Sequence, residues 1–297
     1  MSKDISAYIA SVISFCISCL VALGCSQGGI QINGIPIIFL CLIIIFFIQW
    51  VIFFPSYFYH TEHYYDLTGS LTYVIVVGLS FYWRVASLSE AGLDIRSFIL
   101  FLLVLIWAIR LGSFLFYRVL VKGEDRRFKE WKYSFPLFLR AWTIQGMWIF
   151  FTSLAAITAI TSNLIMVDGP FFYLGLIVWL FGFSFESIAD QQKKKFNSDK
   201  KNKEKFISDG LWSLSRHPNY FGEVMLWLGV SIIAFPVLKG WQMLSLTSPV
   251  FVYFLLSKGS GVPILEAYAD KKWGDNKKYQ VYKSKTPIFF PRIFKNF

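Results

Sequence analysis

Eight stretches of mainly apolar residues, at about 5–25, 35–54, 68–88, 97–117, 141–162, 171–189, 219–236 and 241–257, recur along a chain of 297 residues. Each is near the ~20 residues a helix needs to cross the hydrocarbon core of a bilayer. Inside lipid a backbone must satisfy its own N–H and C=O groups, and segments of this length do so as helices. The pattern predicts an all-α, multispanning integral membrane bundle of about seven or eight transmembrane helices. Composition agrees: 56% of residues are hydrophobic, 20% are aromatic and the mean hydropathy is +0.53, outside the soluble range. No internal repeat interrupts the pattern, so residues 1–297 read as a single membrane domain.

The chain carries 29 Lys and Arg against 18 Asp and Glu, a net charge of +11. Placement decides what this excess means. Residues 118–140 hold seven of the cations, 190–218 eight and 258–297 nine, whereas Arg84 and Arg110 fall within apolar runs. Basic residues concentrate in cytoplasmic loops, so both termini are expected on the cytoplasmic side. The excess is then explained by orientation and by attraction to anionic membrane lipids, and nucleic acid is not expected as a partner. On the same count the short polar loop 55–67 joins the three basic segments on one membrane face. The first run is longer than the apolar core of a cleavable signal and is expected to remain as a helix. The organelle stays open: endoplasmic reticulum if the source is eukaryotic, plasma membrane if bacterial.

Cys16, Cys19, Cys25 and Cys41 lie in or beside the first two runs and read as small hydrophobes. His60 and His63 flank Glu62 near a membrane boundary, but with three histidines in the whole chain a multi-histidine metal site is not expected, and no metal is assigned. No glycine-rich phosphate-binding loop is present.

The chemistry concentrates in Arg216-His-Pro-Asn-Tyr-Phe-Gly-Glu223, which runs directly into an apolar helix. Pro218 suits a first helical turn, where its missing N–H costs nothing, and His217 then caps the helix. Asn219, Glu223 and Trp227 follow at intervals of four and share a face. Glu186 and Asp190 repeat that interval near the end of the preceding run. Arg110 and Arg118, eight apart, share nearly one face of another. An ionisable group within a span costs roughly 2.5–3.5 kcal/mol, so such groups face a cavity or a partner. In the plainer alternative the acids pair with Arg216 or Arg110 to fix helix packing, and Arg118 is an interfacial anchor.

Taken in order, Trp107-Ala-Ile-Arg-Leu111, Arg118, Glu124-Asp-Arg126, Gln145-Gly146, Ala189-Asp-Gln191, Gly210-Leu-Trp212, the 216–223 motif, Ser260-Gly-Val-Pro-Ile-Leu-Glu266, Tyr282 and Thr286-Pro287 resemble the C-terminal domain family of the steroid 5α-reductases. The match is closest to that family's branch of uncharacterised membrane proteins and covers residues 60–291. The resemblance implies a reductase that binds NADPH from the cytoplasmic side and reduces a carbon–carbon double bond conjugated to a carbonyl in a lipidic or steroid-like substrate. It assigns the cofactor to Arg118, Asp125, Arg126, Gln145, Asp190, Arg216, His217, Asn219, Tyr220 and Glu223. Trp107 stands where those enzymes place a carbonyl-polarising tyrosine, so Arg110, Glu62 and Tyr65 become the catalytic candidates. Two alternatives remain open. Isoprenylcysteine carboxyl methyltransferases share an Arg-His-Pro-x-Tyr-x-Gly motif and use it to bind S-adenosylmethionine, and a non-catalytic lipid-binding protein would also tolerate Trp107.

Overall fold

A computed structural model describes residues 2–88, 94–123, 125–166, 168–259 and 261–292, without the side chains of residues 122 and 126. The expected residues Glu124 and Ser260, and the side chain of Arg126, lie outside the described set.

The described residues are mostly helical, and among them eight segments are long and apolar enough to cross a membrane. The helices are α1 (Lys3–Cys25), α2 (Ile37–Phe58), α3 (Tyr65–Ser87), α4 (Ile95–Lys122), α5 (Phe135–Ile160), α6 (Pro170–Ser198) and α7 (Pro218–Ala234), followed by α8 (Ser248–Phe254), α9 (Val262–Trp273) and α10 (Lys277–Lys285). The eighth apolar segment, Gly240–Trp273, is not one α-helix. It runs through a 3₁₀ stretch at Gly240–Thr247, then α8, a π-turn at Leu255–Gly259 and α9. The only sheet among the described residues is a hairpin of β1 (Gln31–Ile32) and β2 (Ile35–Pro36), closed by Asn33 and Gly34, both at positive φ. Asn-Gly is the pair a two-residue hairpin turn favours.

The chain forms two compact units, one of residues 1–172 with 230–248, the other of residues 173–229 with 249–297. In the first unit α5 packs against α1, α2, α3 and α4. Every residue from Ile149 to Ile160 is buried. The composition of this stretch explains its position: alanines and hydroxyl residues keep the helix thin, so neighbours approach closely. Two of its hydroxyls return to the helix's own carbonyls, Thr152 to Trp148 at 2.7 Å and Ser153 to Ile149 at 2.6 Å, so these two polar groups are satisfied within an apolar surrounding. Gln49 to Thr72 at 3.0 Å, Trp50 to Thr143 at 3.1 Å and Tyr73 to Thr152 at 2.5 Å tie neighbouring helices together. The late segment 235–248 closes this unit. Ser162 donates to the Val237 carbonyl and Ser248 to that of Thr152, each at 2.8 Å. Arg84, buried near the end of α3, pairs with the α4 N-cap Asp94 at 2.7 Å and donates to the Ser162 carbonyl. Burial opposes ionisation of Asp94, but hydrogen bonds from Ser97 and Arg84 and the Arg84 charge outweigh it and hold the carboxyl below its usual range.

The second unit is organised by two helices that meet backbone to backbone. Gly175 and Gly182 on α6 face Gly222 and Gly229 on α7. A Cβ built on Gly222 would lie 2.5 Å from the Glu186 amide nitrogen, and one on Gly229 would lie 2.6 Å from that of Trp179. Stepping seven residues back along α6, from Glu186 to Trp179, advances the contact seven residues along α7, so the pair is antiparallel in a constant register. Small residues that allow such contact are the usual means of packing helices in lipid.

Candidate functional site

The α6–α7 register fixes the candidate site in the second unit. Continuing it from Glu186 toward the end of α6 brings Asp190 opposite Asn219, and the Asn219 amide donates to Asp190 Oδ1 at 3.2 Å. Pro218 begins α7, and the carbonyl of His217 accepts from the Phe221 amide at 3.3 Å, the cap geometry expected from the motif. Glu223 sits one turn beyond Asn219 and is buried, as are Glu186 and Asp190. The α7 mouth thus carries three buried carboxyl groups and an amide.

Ser215 precedes the helix and joins it to the C-terminal segment. Its hydroxyl donates to the Phe289 carbonyl at 2.8 Å and accepts from the His217 amide at 3.2 Å, while the Arg216 amide donates to Pro287. These bonds hold Arg216 and His217 against the C-terminal segment. Both side chains are almost wholly buried, at 8% and 6% exposure, and both reach Glu266 on α9. Arg216 Nη1 pairs with Glu266 Oε2, and His217 Nε2 lies 2.9 Å from Oε1. Lys283 stands 3.9 Å from the same carboxylate. The His217 ring stacks on Tyr220 with centroids 5.6 Å apart. Burial lowers the His217 pKa and the charges of Lys193 and Arg216 add to the effect, against the opposing hydrogen bond to Glu266, so the imidazole is neutral at neutral pH. His217 Nδ1 and Arg216 Nε are buried and have no hydrogen-bond partner among the described residues. Around the mouth, Trp212 donates to the Ala189 carbonyl at 3.0 Å and carries Lys193 over its ring at 4.3 Å, while Tyr282 donates to Trp212.

The first unit contains the other predicted residues. Arg127 grips Asp125 with Nε and Nη2 at 2.8–3.1 Å and reaches Asp66 at 3.5 Å. Arg118 lies 3.8 Å from Asp66 and 3.6 Å from Asp125. Burial opposes ionisation of Asp125, yet the Arg127 charge and hydrogen bonds, with Arg118 beside them, hold its carboxyl below the usual range. Glu62, with no side-chain exposure, accepts from Lys132 and from the Asp125 amide, each at 3.0 Å. The Tyr65 hydroxyl donates to the Ala141 carbonyl, and Gln145 donates to the Tyr65 carbonyl, both at 3.0 Å. Gly69 makes room for Gln145, whose amide nitrogen would lie 2.6 Å from a Cβ there. Arg110 is half-buried in α4, two turns before Arg118. Trp107 is buried and meets Tyr73 edge-on at 5.1 Å. A shallow hollow of about 400 Å³ bounded by Lys3, Ser6, Glu130, Trp131, Leu137 and Arg140 involves none of these groups.

A family model described as a protein of unknown function, DUF1295, matches residues 49–286. The chain belongs to the DUF1295 family. That family is steroid 5α-reductase-like. An uncharacterised protein of Schizosaccharomyces pombe is 29% identical over 146 residues, which cover 42% of this chain and 40% of the relative. The chain therefore spans about two-fifths of the length of that curated relative. No solved structure matches it.

Within this DUF1295 chain the predicted residues fall into two sets. Asp190, Arg216, His217, Asn219, Tyr220 and Glu223 gather in the second unit, and Glu62, Tyr65, Arg110, Arg118, Asp125 and Gln145 lie in the first. Arg216 pairs with Glu266 on α9. Three participants have no signal in local spacing: Glu266, 49 residues from His217, and Asp66 and Lys132, which complete the first-unit network. Glu266 belongs to the 260–266 segment of the resemblance, which assigned it no role.

Proposed function

We propose that this chain is a membrane-embedded, NADPH-dependent reductase of a lipidic substrate, acting on a carbon–carbon double bond conjugated to a carbonyl. The observation that carries the reading is the α7 mouth, where the Asp190–Asn219 pair stands with Arg216 and His217 and leaves two buried nitrogen atoms without partners among the described residues. Membership of a steroid 5α-reductase-like family and eight membrane-length segments support it.

The groups present suit a dinucleotide. Carboxylates accept from ribose hydroxyls, an amide both donates and accepts, and guanidinium groups bind phosphates. Asp190, Asn219 and Glu223 would hold amide and hydroxyl groups, Tyr220 would stack, and Arg216 would contribute positive charge. NADPH, when bound, supplies the two-electron reducing equivalent. The share of the protein is to hold the acceptor carbonyl and stabilise the negative charge that builds on its oxygen. Glu62 and Tyr65 already commit polar atoms to Lys132, the Asp125 amide and the Ala141 carbonyl. Arg110, permanently charged and rich in donors, is a candidate for the polarising role together with Glu62 and Tyr65.

Purified protein in detergent, melted with NADPH, NADH or S-adenosylmethionine, tests the reading. A ligand at about 100 times its Kd raises stability by ~2.7 kcal/mol, and NADPH should do so while S-adenosylmethionine does not. Stabilisation by S-adenosylmethionine alone would establish the methyltransferase reading that the shared motif favours, and response to neither points to a lipid-binding protein. NADPH consumption should further require an α,β-unsaturated lipid ketone or aldehyde, and Arg110→Ala should lower kcat while leaving the NADPH-dependent melting shift intact.

A further inference from the structure

Glu266 has no part in the cofactor assignment above, yet it organises the two buried side chains at the α7 mouth. Arg216 and Lys283 flank its carboxyl, and among side chains an ionised carboxylate flanked in this way is an acceptor only. Its Oε1 lies 2.9 Å from His217 Nε2, so that nitrogen must carry the hydrogen. A neutral imidazole has one hydrogen, and Nδ1 is then a bare lone pair. It is buried and has no partner among the described residues, on a side chain that is 6% exposed. The ring cannot rotate to relieve this, being stacked on Tyr220 at 5.6 Å and bonded to Glu266 at its other nitrogen. A buried acceptor fixed in this way is matched by a ligand that brings a donor.

We propose that Glu266 is a positioning residue that holds His217 in the Nε2-protonated tautomer, so that Nδ1 faces the bound ligand as an acceptor for an amide or hydroxyl donor. The ligand half of this proposal rests on the reading of the α7 mouth as a cofactor site. The tautomer half rests on the hydrogen bond to Glu266 and on the ring's being neutral.

The chain contains three histidines, at 60, 63 and 217, so ¹⁵N-histidine labelling of the full protein in detergent resolves each ring. His217→Gln assigns the resonances. In the unsubstituted protein at neutral pH the His217 ring should show hydrogen on Nε2 and a bare Nδ1. Glu266→Gln, whose amide oxygen also accepts, should preserve that tautomer, whereas Glu266→Ala should release the ring into a mixture. Circular dichroism and melting confirm that each variant is folded. If Glu266→Ala fails to fold, retention in Glu266→Gln and the wild-type spectrum still decide the tautomer. Saturating NADPH should shift the Nδ1 resonance, and Glu266→Ala should weaken NADPH binding about tenfold, the scale on which losing an orienting partner is felt. An Nδ1–H tautomer or an imidazolium in the wild type, or a tautomer unchanged in folded Glu266→Ala, overturns the positioning role. NADPH binding with no change at Nδ1 overturns the ligand half. If NADPH does not bind, the reductase reading and the ligand half fall together, and the tautomer result stands by itself.

Discussion

Glu62 looks, in sequence, like a free acid beside two histidines, and it proves to be enclosed with its charge answered by Lys132 and the Asp125 amide. Breaking a buried pair by removing one partner costs more than removing both. Lys132→Met should therefore destabilise the protein by about 3 kcal/mol, and adding Glu62→Gln should recover part of that loss, as denaturant unfolding would measure. His217 supplies a pH prediction. Its pKa in the fold lies below the ordinary 6.5, so below that pH the unfolded chain binds a proton that the folded chain refuses. Stability should fall as pH drops from 6.5 toward the folded value, and His217→Gln should flatten that part of the profile of melting temperature against pH. At this scale half of the site was legible. The 216–223 motif announces a capped helix with an amide and an acid on one face, because period and cap chemistry are local. The link from His217 to Glu266 spans 49 residues, and no periodicity encodes a contact made only when two helices dock.

Among the helices, length and apolarity were enough to place the spans, since the bilayer sets both. The expected runs at about 68–88 and 171–189 became Tyr65–Ser87 and Pro170–Ser198, the second extended by polar turns that continue a helix without adding to its apolar signal. The last run is the exception. Pro249, Gly259 and Pro263 lie within the longer segment Gly240–Trp273 that contains it, and that segment changes from 3₁₀ to α to π geometry and back to α along its length. The α6–α7 contact was also hidden, because Gly175, Gly182, Gly222 and Gly229 read as unremarkable small residues until the two helices are set against each other. Gly222→Ala should force that contact apart, with an overpacking cost of about 1–3 kcal/mol. Gly169→Ala, where a Cβ meets nothing within 4 Å, should be near neutral in the same melting experiment. If the two behave alike, close backbone contact is not what holds the pair.

For the molecule as a whole, an even number of spans returns the chain to the side on which it began. With eight, reporters fused to the two termini should respond identically to a membrane-impermeant reagent, and the basic loops predict that both will be cytoplasmic. Opposite responses would mean that an odd number of the eight apolar segments does not cross. The interleaving of the two units has a separate consequence, for biosynthesis. Residues 230–248 complete the first unit only after most of the second has been made, and they supply bonds such as Ser248 to the Thr152 carbonyl. A ribosome that stops after residue 172 leaves α5 without one of its walls, so no single break in the gene yields either unit intact.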